Sequence, residues 1–240
     1  MQAIGIISGT LFLGEKGIFA GWEERAVETE YGHALLFLSQ QVVFIPRHGD
    51  DPDRHILPHE INHRANLKAM KDLGVSEVIS INSTGSLKKT LKPGMIVIPD
   101  DFIVLFGTPT TIHTKARHLT PALSVDVRRR WLQAAGDCHI EAVDGGTYWQ
   151  TSGPRLETKA EIAMMSGFAD LVGMTMASEA VIAQELDLPY GALCSVDNYA
   201  HGLSERPLAM KEILTFARKN AESIRRILER YLERFFSEGP

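Results

Sequence analysis

Residues 77–86 of this chain read EVISINSTGS, an apolar run that passes directly into small hydroxyl residues, an amide and a glycine. A short apolar run closed by turn formers marks a strand buried on both faces, and such strands build parallel sheets covered by helices. The pattern recurs on either side. Toward the N-terminus, 3–7 and 42–46 read as buried strands, and 59–73 places Ile61, Ala65, Leu67, Ala69, Met70 and Leu73 at helical spacing before Gly74 stops the helix. Toward the C-terminus, strands are predicted over 95–99, 141–149, 171–174 and 190–197, and helices over 123–135, 157–166, 178–186 and 207–235. The last helix has the charge pairing of a long amphipathic surface helix. Residues 106–121 have no clear period and read as a long loop. Strands alternating with helices predict an α/β fold. With no Pro/Gly/Ser-rich linker, internal repeat or low-complexity tract, 1–240 reads as a single domain.

The chain is 44% hydrophobic and 23% charged with a formal net charge of -5, so it has the makings of a core and no general surface for nucleic acid. Any anion site must then be a local arrangement. Cys138 and Cys194 stand far apart without a CxxC or Cys/His cluster, which argues against a disulfide framework or structural zinc. The opening MQAIGIISGT lacks a basic segment and a long apolar core and reads as a first strand, not a signal peptide. No run approaches the roughly 18 apolar residues of a membrane span. A cytoplasmic protein is the expectation.

The chemistry collects where predicted strands end, which is where open α/β sheets place their ligands. Ser8–Gly9–Thr10 offers a hydroxyl and backbone N–H groups to an anion. Arg47–His48–Gly49 adds a forked donor that matches phosphate and an imidazole. Asn82–Ser83–Thr84–Gly85–Ser86 repeats the hydroxyl theme, as does Gly173–Met174–Thr175. Each has an ordinary structural account as a turn, a solvated pair or a core residue, and Asn198 at the end of the last strand could be no more than a turn former. Glu157 after Gly153–Pro154–Arg155 could merely favour a helix dipole. The coincidence of several strand ends suited to one oxyanion is what points to a site.

In order and spacing, the blocks ISGT, RHGDD with PHEINHRANLKAMKDLGV, INSTGSLKKTLKPGMIVIPDDFI, GTYWQTSGPRLETKAEI and DLVGMTMASEAVIAQELDLPYG resemble the purine nucleoside phosphorylase and methylthioadenosine phosphorylase family over nearly the whole chain. The resemblance implies one α/β domain with a central mixed, partly barrel-like sheet flanked by helices. It also implies inorganic phosphate as co-substrate, no organic cofactor or metal, and a homotrimer or dimer of trimers with sites at subunit interfaces. Carried over by position, Thr10, Arg47, His48, Ser83 and Thr175 would bind phosphate, and Met174 would pack beneath the ribose, with Leu156, Thr84 and Asp197 beside ribose and base. His118, in the long loop, would reach a neighbouring subunit's site. Two blocks depart from the family pattern: the first reads Ser8–Gly9–Thr10–Leu11 where two glycines, Thr and another glycine are usual, and Leu156 stands where an aromatic commonly stacks on the base.

Family members that cleave methylthioadenosine present an Asp to the base where this chain has Asn198, and a second acid where it has Ala200. An amide can donate to N7 or to a 6-oxo oxygen. Glu157 matches the acid that 6-oxopurine enzymes use to accept N1–H; adenine has no hydrogen there, and a buried carboxylate left without its donor costs several kcal/mol. Asn198 and Glu157 together therefore predict hypoxanthine or guanine as the base of S-methyl-5′-thioinosine, inosine or guanosine. The alternatives are a methylthioadenosine phosphorylase, a nucleoside hydrolase, for which the calcium-binding acidic cluster is not evident, and a non-catalytic nucleotide-binding module.

Overall fold

The computed structural model describes residues 3–9, 21–114, 116–204 and 210–238. Among the described residues the frame is a mixed sheet of eleven strands. Its centre is β1 (Ala3–Ser8), β4 (Val42–Pro46) and β5 (Val75–Ser86), with β1 parallel to both neighbours. Their runs are predominantly apolar because both faces are covered. Before β4 come β2 (Glu23–Thr29) and β3 (Gly32–Ser39), an antiparallel hairpin that forms one end of the sheet.

The strand predicted from 77 is longer than its apolar run. Ser83–Ser86, read from the sequence as the turn after the strand, are still paired, because β11 (Tyr190–Tyr199) runs parallel along them while β10 (Leu171–Gly173) joins antiparallel at Gly85 and Ser86. The sheet thus branches at β5. One branch continues through β10, β9 (Thr147–Gln150) and β7 (Asp101–Ile103), and β11 leads to β6 (Ile96–Ile98) and β8 (Ala142–Asp144). The strand predicted over 141–149 is in fact two, β8 and β9, broken at Gly145 and Gly146 with φ of +95° and +126°, conformations open to glycine and not to L side chains.

Helices cover the sheet in two groups. On one face, α1 (His63–Asp72) and α4 (Met176–Glu185) bury Ala65, Leu67, Met70, Ala180 and Ile182. On the other, α2 (Val125–Asp137) and α5 (Met210–Glu238) bury Trp131, Ile224, Ile227 and Tyr231. Each burial removes apolar surface worth about 25 cal/mol per Å². The described residues between β7 and α2, which include those of the loop expected over 106–121, form no helix or strand and are strapped to the end of α4: Thr110 Oγ1 and the Thr111 amide donate to the Glu185 carboxylate, and Arg117 donates to the Glu185 carbonyl. Among the described residues no helix is long and apolar enough to cross a membrane.

Candidate active site

The ends of β1, β4, β5, β10 and β11 surround a cavity of about 310 Å³ whose wall includes Arg47, His48, Ser83, Thr84, Met174 and Thr175. Glu157, Leu156 and Asn198 complete the part of the wall that the sequence had singled out. Two predicted residues do not line it, and a third lies outside the described residues. Thr10 lies outside the described residues. His118 is exposed on the 104–124 connection and does not line the cavity. Asp197, expected beside ribose and base, is fully buried behind the wall.

The position of Asp197 follows from a β-bulge. The β11–β5 register shifts between Val196, opposite Thr84, and Asn198, opposite Gly85, so Asp197 is the extra residue. A bulge re-aims the side chains on either side of it. Here Asn198 opens onto the cavity while Asp197 turns inward, accepting from Ser195 Oγ, which itself accepts from Asn220 Nδ2 of α5. Burial raises the Asp197 carboxyl to about 6, against hydrogen bonds from Ser195 and Ser83. Asn198 Nδ2 is assigned as donating to the Tyr199 carbonyl at 2.9 Å.

Glu157 is not the helix starter that its place before an apolar run allowed. The helix α3 (Lys159–Met165) begins two residues later, capped by Thr158 and Glu161, which exchange the reciprocal bonds of a capping box. Glu157 is left free of that duty; it accepts from Thr151 Oγ1 at 2.6 Å and borders the cavity.

Arg47 is 3% exposed and reaches the cavity from below. Its guanidinium lies against the fully buried Glu179 of α4, Nε to Oε1 at 2.9 Å. Burial raises the Glu179 carboxyl and the neighbouring Arg47 charge opposes that rise. His48 Nδ1 is 2.8 Å from the Ile56 carbonyl, an acceptor only, so Nδ1 carries the hydrogen. Burial lowers the His48 pKa to about 4, which leaves a neutral ring with a lone pair on Nε2. That nitrogen sits beside Gly9, where a Cβ would be 3.1 Å away and 2.9 Å from Cδ2, so the turn after β1 must be glycine to admit the ring. His55 stacks on its other side, with ring centroids 4.5 Å apart. His55, His201, Leu57 and Pro58 line the cavity and were not singled out from the sequence. They come from loops and a single 3-10 turn, where no period marks them. Glu179 and Asn82, which hold Arg47, stood inside segments already noted, but nothing in their spacing paired them with it.

The chain belongs to the phosphorylase superfamily, whose sequence pattern matches residues 3–233. Within that class its relatives are nucleoside phosphorylases. It is 40% identical to a "Probable 6-oxopurine nucleoside phosphorylase" of Archaeoglobus fulgidus, over 98% of each chain. It is 38% identical to a "Probable S-methyl-5'-thioinosine phosphorylase" of Methanocaldococcus jannaschii, over 98% of this chain and 94% of the other. Among solved structures, methylthioadenosine phosphorylase from Schistosoma mansoni in complex with adenine superposes with a TM-score of 0.89 at 26% identity, covering 100% of this chain and 93% of that one.

Proposed function

We propose that this protein cleaves a 6-oxopurine nucleoside with inorganic phosphate, releasing hypoxanthine or guanine and ribose 1-phosphate or its 5-methylthio counterpart. The observation that carries this reading is the convergence of Glu157 and Asn198 on the cavity that also holds Arg47, His48, Ser83 and Thr175. The names of the A. fulgidus and M. jannaschii relatives agree with it.

Phosphate sits among Thr175, Ser83, His48 and Arg47, with Thr10 a further contributor, at the N-terminal end of α4, where the helix dipole favours an anion. Neutral His48 accepts the hydrogen of a protonated phosphate oxygen through Nε2. Met174 and Thr84 flank the ribose. The C1′–N9 bond breaks as C1′ gains oxocarbenium character next to the phosphate, and a phosphate oxygen then bonds to C1′. The electron pair of the broken bond passes to the purine, where Asn198 donates to N7 or the 6-oxo oxygen and Glu157 accepts N1–H. Leu156 covers the base with apolar surface. The chemistry calls for no protein nucleophile, organic cofactor or metal, and the active assembly is a homotrimer or a dimer of trimers in the cytoplasm.

Base release from methylthioinosine, inosine, guanosine and methylthioadenosine, with and without phosphate, tests the reading. Phosphate-dependent release from the 6-oxopurine nucleosides is expected. Faster release from methylthioadenosine would move the assignment to that activity, turnover without phosphate would indicate a hydrolase, and binding without release would leave a binding module. Asn198→Ala should lower kcat by about a hundredfold, the size of one transition-state donor, while phosphate affinity stays within twofold. Equal losses in all parameters would count against the role given to Asn198.

A further inference from the structure

The four terminal hydrogens of the Arg47 guanidinium face five acceptors. Nη1 points to the Ile81 carbonyl at 3.2 Å, Asn82 Oδ1 at 2.9 Å and Thr175 Oγ1 at 3.3 Å. Nη2 points to the Ile7 carbonyl at 3.3 Å and Glu179 Oε2 at 3.2 Å. Of these acceptors only Thr175 lines the cavity. Arg47 lines the cavity as well, so these contacts fix the orientation in which its guanidinium meets an incoming anion.

The ties form a closed ring. Tyr190 Oη lies 2.7 Å from Glu179 Oε2 and 2.6 Å from Ser80 Oγ, Asn82 Nδ2 donates to Ser80 Oγ at 2.8 Å, and Asn82 Oδ1 returns to Arg47. Glu179 closes it with a hydrogen bond at Nη2, and its Oε1 lies in ion-pair contact with Nε without a hydrogen bond. His63 Nδ1 is 3.9 Å from Glu179 Oε1, and burial beside Arg47 keeps that ring neutral at neutral pH. The hydroxyl at the end of this chain of contacts is not consumed locally. Thr175 is the N-cap residue of α4 but makes no side-chain cap bond. The helix start is served instead by Gln150, whose amide accepts from the Ser178 N–H and donates to Ser178 Oγ.

We propose that Glu179 is a positioning residue for phosphate: it fixes the Arg47 guanidinium so that Nη1 donates to Thr175 Oγ1, leaving the Thr175 hydrogen to be donated to a phosphate oxygen. Arg47, itself in the cavity wall, then meets phosphate in a fixed orientation and also polarises the hydroxyl beside it. This rests on the reading that phosphate occupies the cavity, and it adds a residue that does not touch the cavity.

The test is calorimetric titration of inorganic phosphate into the wild-type protein, Glu179→Gln and Tyr190→Phe, with KM for phosphate and for nucleoside measured alongside. Gln keeps the shape of Glu179 but turns one acceptor into a donor facing the guanidinium. Its phosphate Kd should rise about tenfold, the size of one charge-assisted hydrogen bond, with nucleoside KM within twofold. Tyr190→Phe keeps the ion pair and should weaken phosphate by two- to threefold. Unchanged phosphate affinity in a folded Glu179→Gln protein would overturn the proposal, as would equal losses for phosphate and nucleoside. Tighter phosphate binding, expected if Glu179 only cancelled the Arg47 charge, would overturn it too. Should Glu179→Gln fail to fold, Tyr190→Phe decides, and wild-type affinity there overturns it. A wild-type protein that binds phosphate but releases no base would defeat the proposed reaction and leave this assignment standing; one that binds no phosphate defeats both.

Discussion

The sheet buries two carboxylates with the same kinds of partner and different consequences. Glu77, near the start of β5, is paired with Arg130 of α2 and takes the hydroxyl of Tyr231 from α5. Glu179 is paired with Arg47 and with the hydroxyl of Tyr190. Burial raises both carboxyls, and an arginine opposes the rise in each. The difference lies in what else the arginine meets. Arg130 reaches across from a helix and locks α2 and α5 onto the sheet, remote from the cavity wall. Arg47 meets one acceptor that faces open space. A buried ion pair becomes part of a site when it stands at the carboxyl ends of the strands and one contact is left pointing outward.

That contrast can be broken by experiment. The largest effect should come from Glu77→Ala, which strands a buried arginine and should destabilise the fold by about 3–5 kcal/mol. Chemical denaturation would read this, and phosphate affinity in the folded fraction should not change. If phosphate binding weakened as well, the two ends of the sheet would not be separable.

Next is Asp197, whose folded-state pKa of about 6 exceeds its ordinary 3.8. A carboxyl raised on folding holds its proton more tightly in the native state. Its contribution is complete below the unfolded value and is lost as pH climbs through about 6. Stability should therefore fall across that window by roughly 3 kcal/mol from this group, and Asp197→Asn should flatten the fall. Identical pH profiles for the two proteins would mean that Asp197 is solvated. The smallest effect is expected for Gly9→Ala, since the new methyl must displace His48. Phosphate KM should rise severalfold, equivalent to about 1 kcal/mol, with little change in nucleoside KM.

Much of the fold was legible because buried parallel strands carry predominantly apolar runs: 3–7, 42–46 and 190–197 each fall within an observed strand. The β2–β3 hairpin was not. β2 reads EERAVET and is exposed along most of its length, as suits a charged edge strand, so no alternation announces it. The C-terminal reach of β5 was hidden for a different reason. NSTGS has turn composition, and only pairing with β10 and β11, from residues far downstream, holds it extended. At the site, side chains at strand ends could be found because topology sends parallel strand ends to one place. Whether Asp197 or Asn198 faces inward depends on a single bulge, which has no local signal. The buried partners of Arg47 depend on contacts across 132 residues of sequence, beyond the reach of any motif.

The closed ring beneath the cavity also bears on how the molecule is assembled during synthesis. Arg47 must wait for Glu179, and Ser80 must wait for Tyr190, 110 residues later. A nascent chain that has emerged only through β9 holds the guanidinium but neither its carboxylate nor its closing phenol. Such distant partners slow folding, because loop closure is unfavourable before any contact rewards it. Ability to capture an anion should therefore arrive late and abruptly, with the docking of the final strand, and its appearance could serve as a clock for completion of the native sheet.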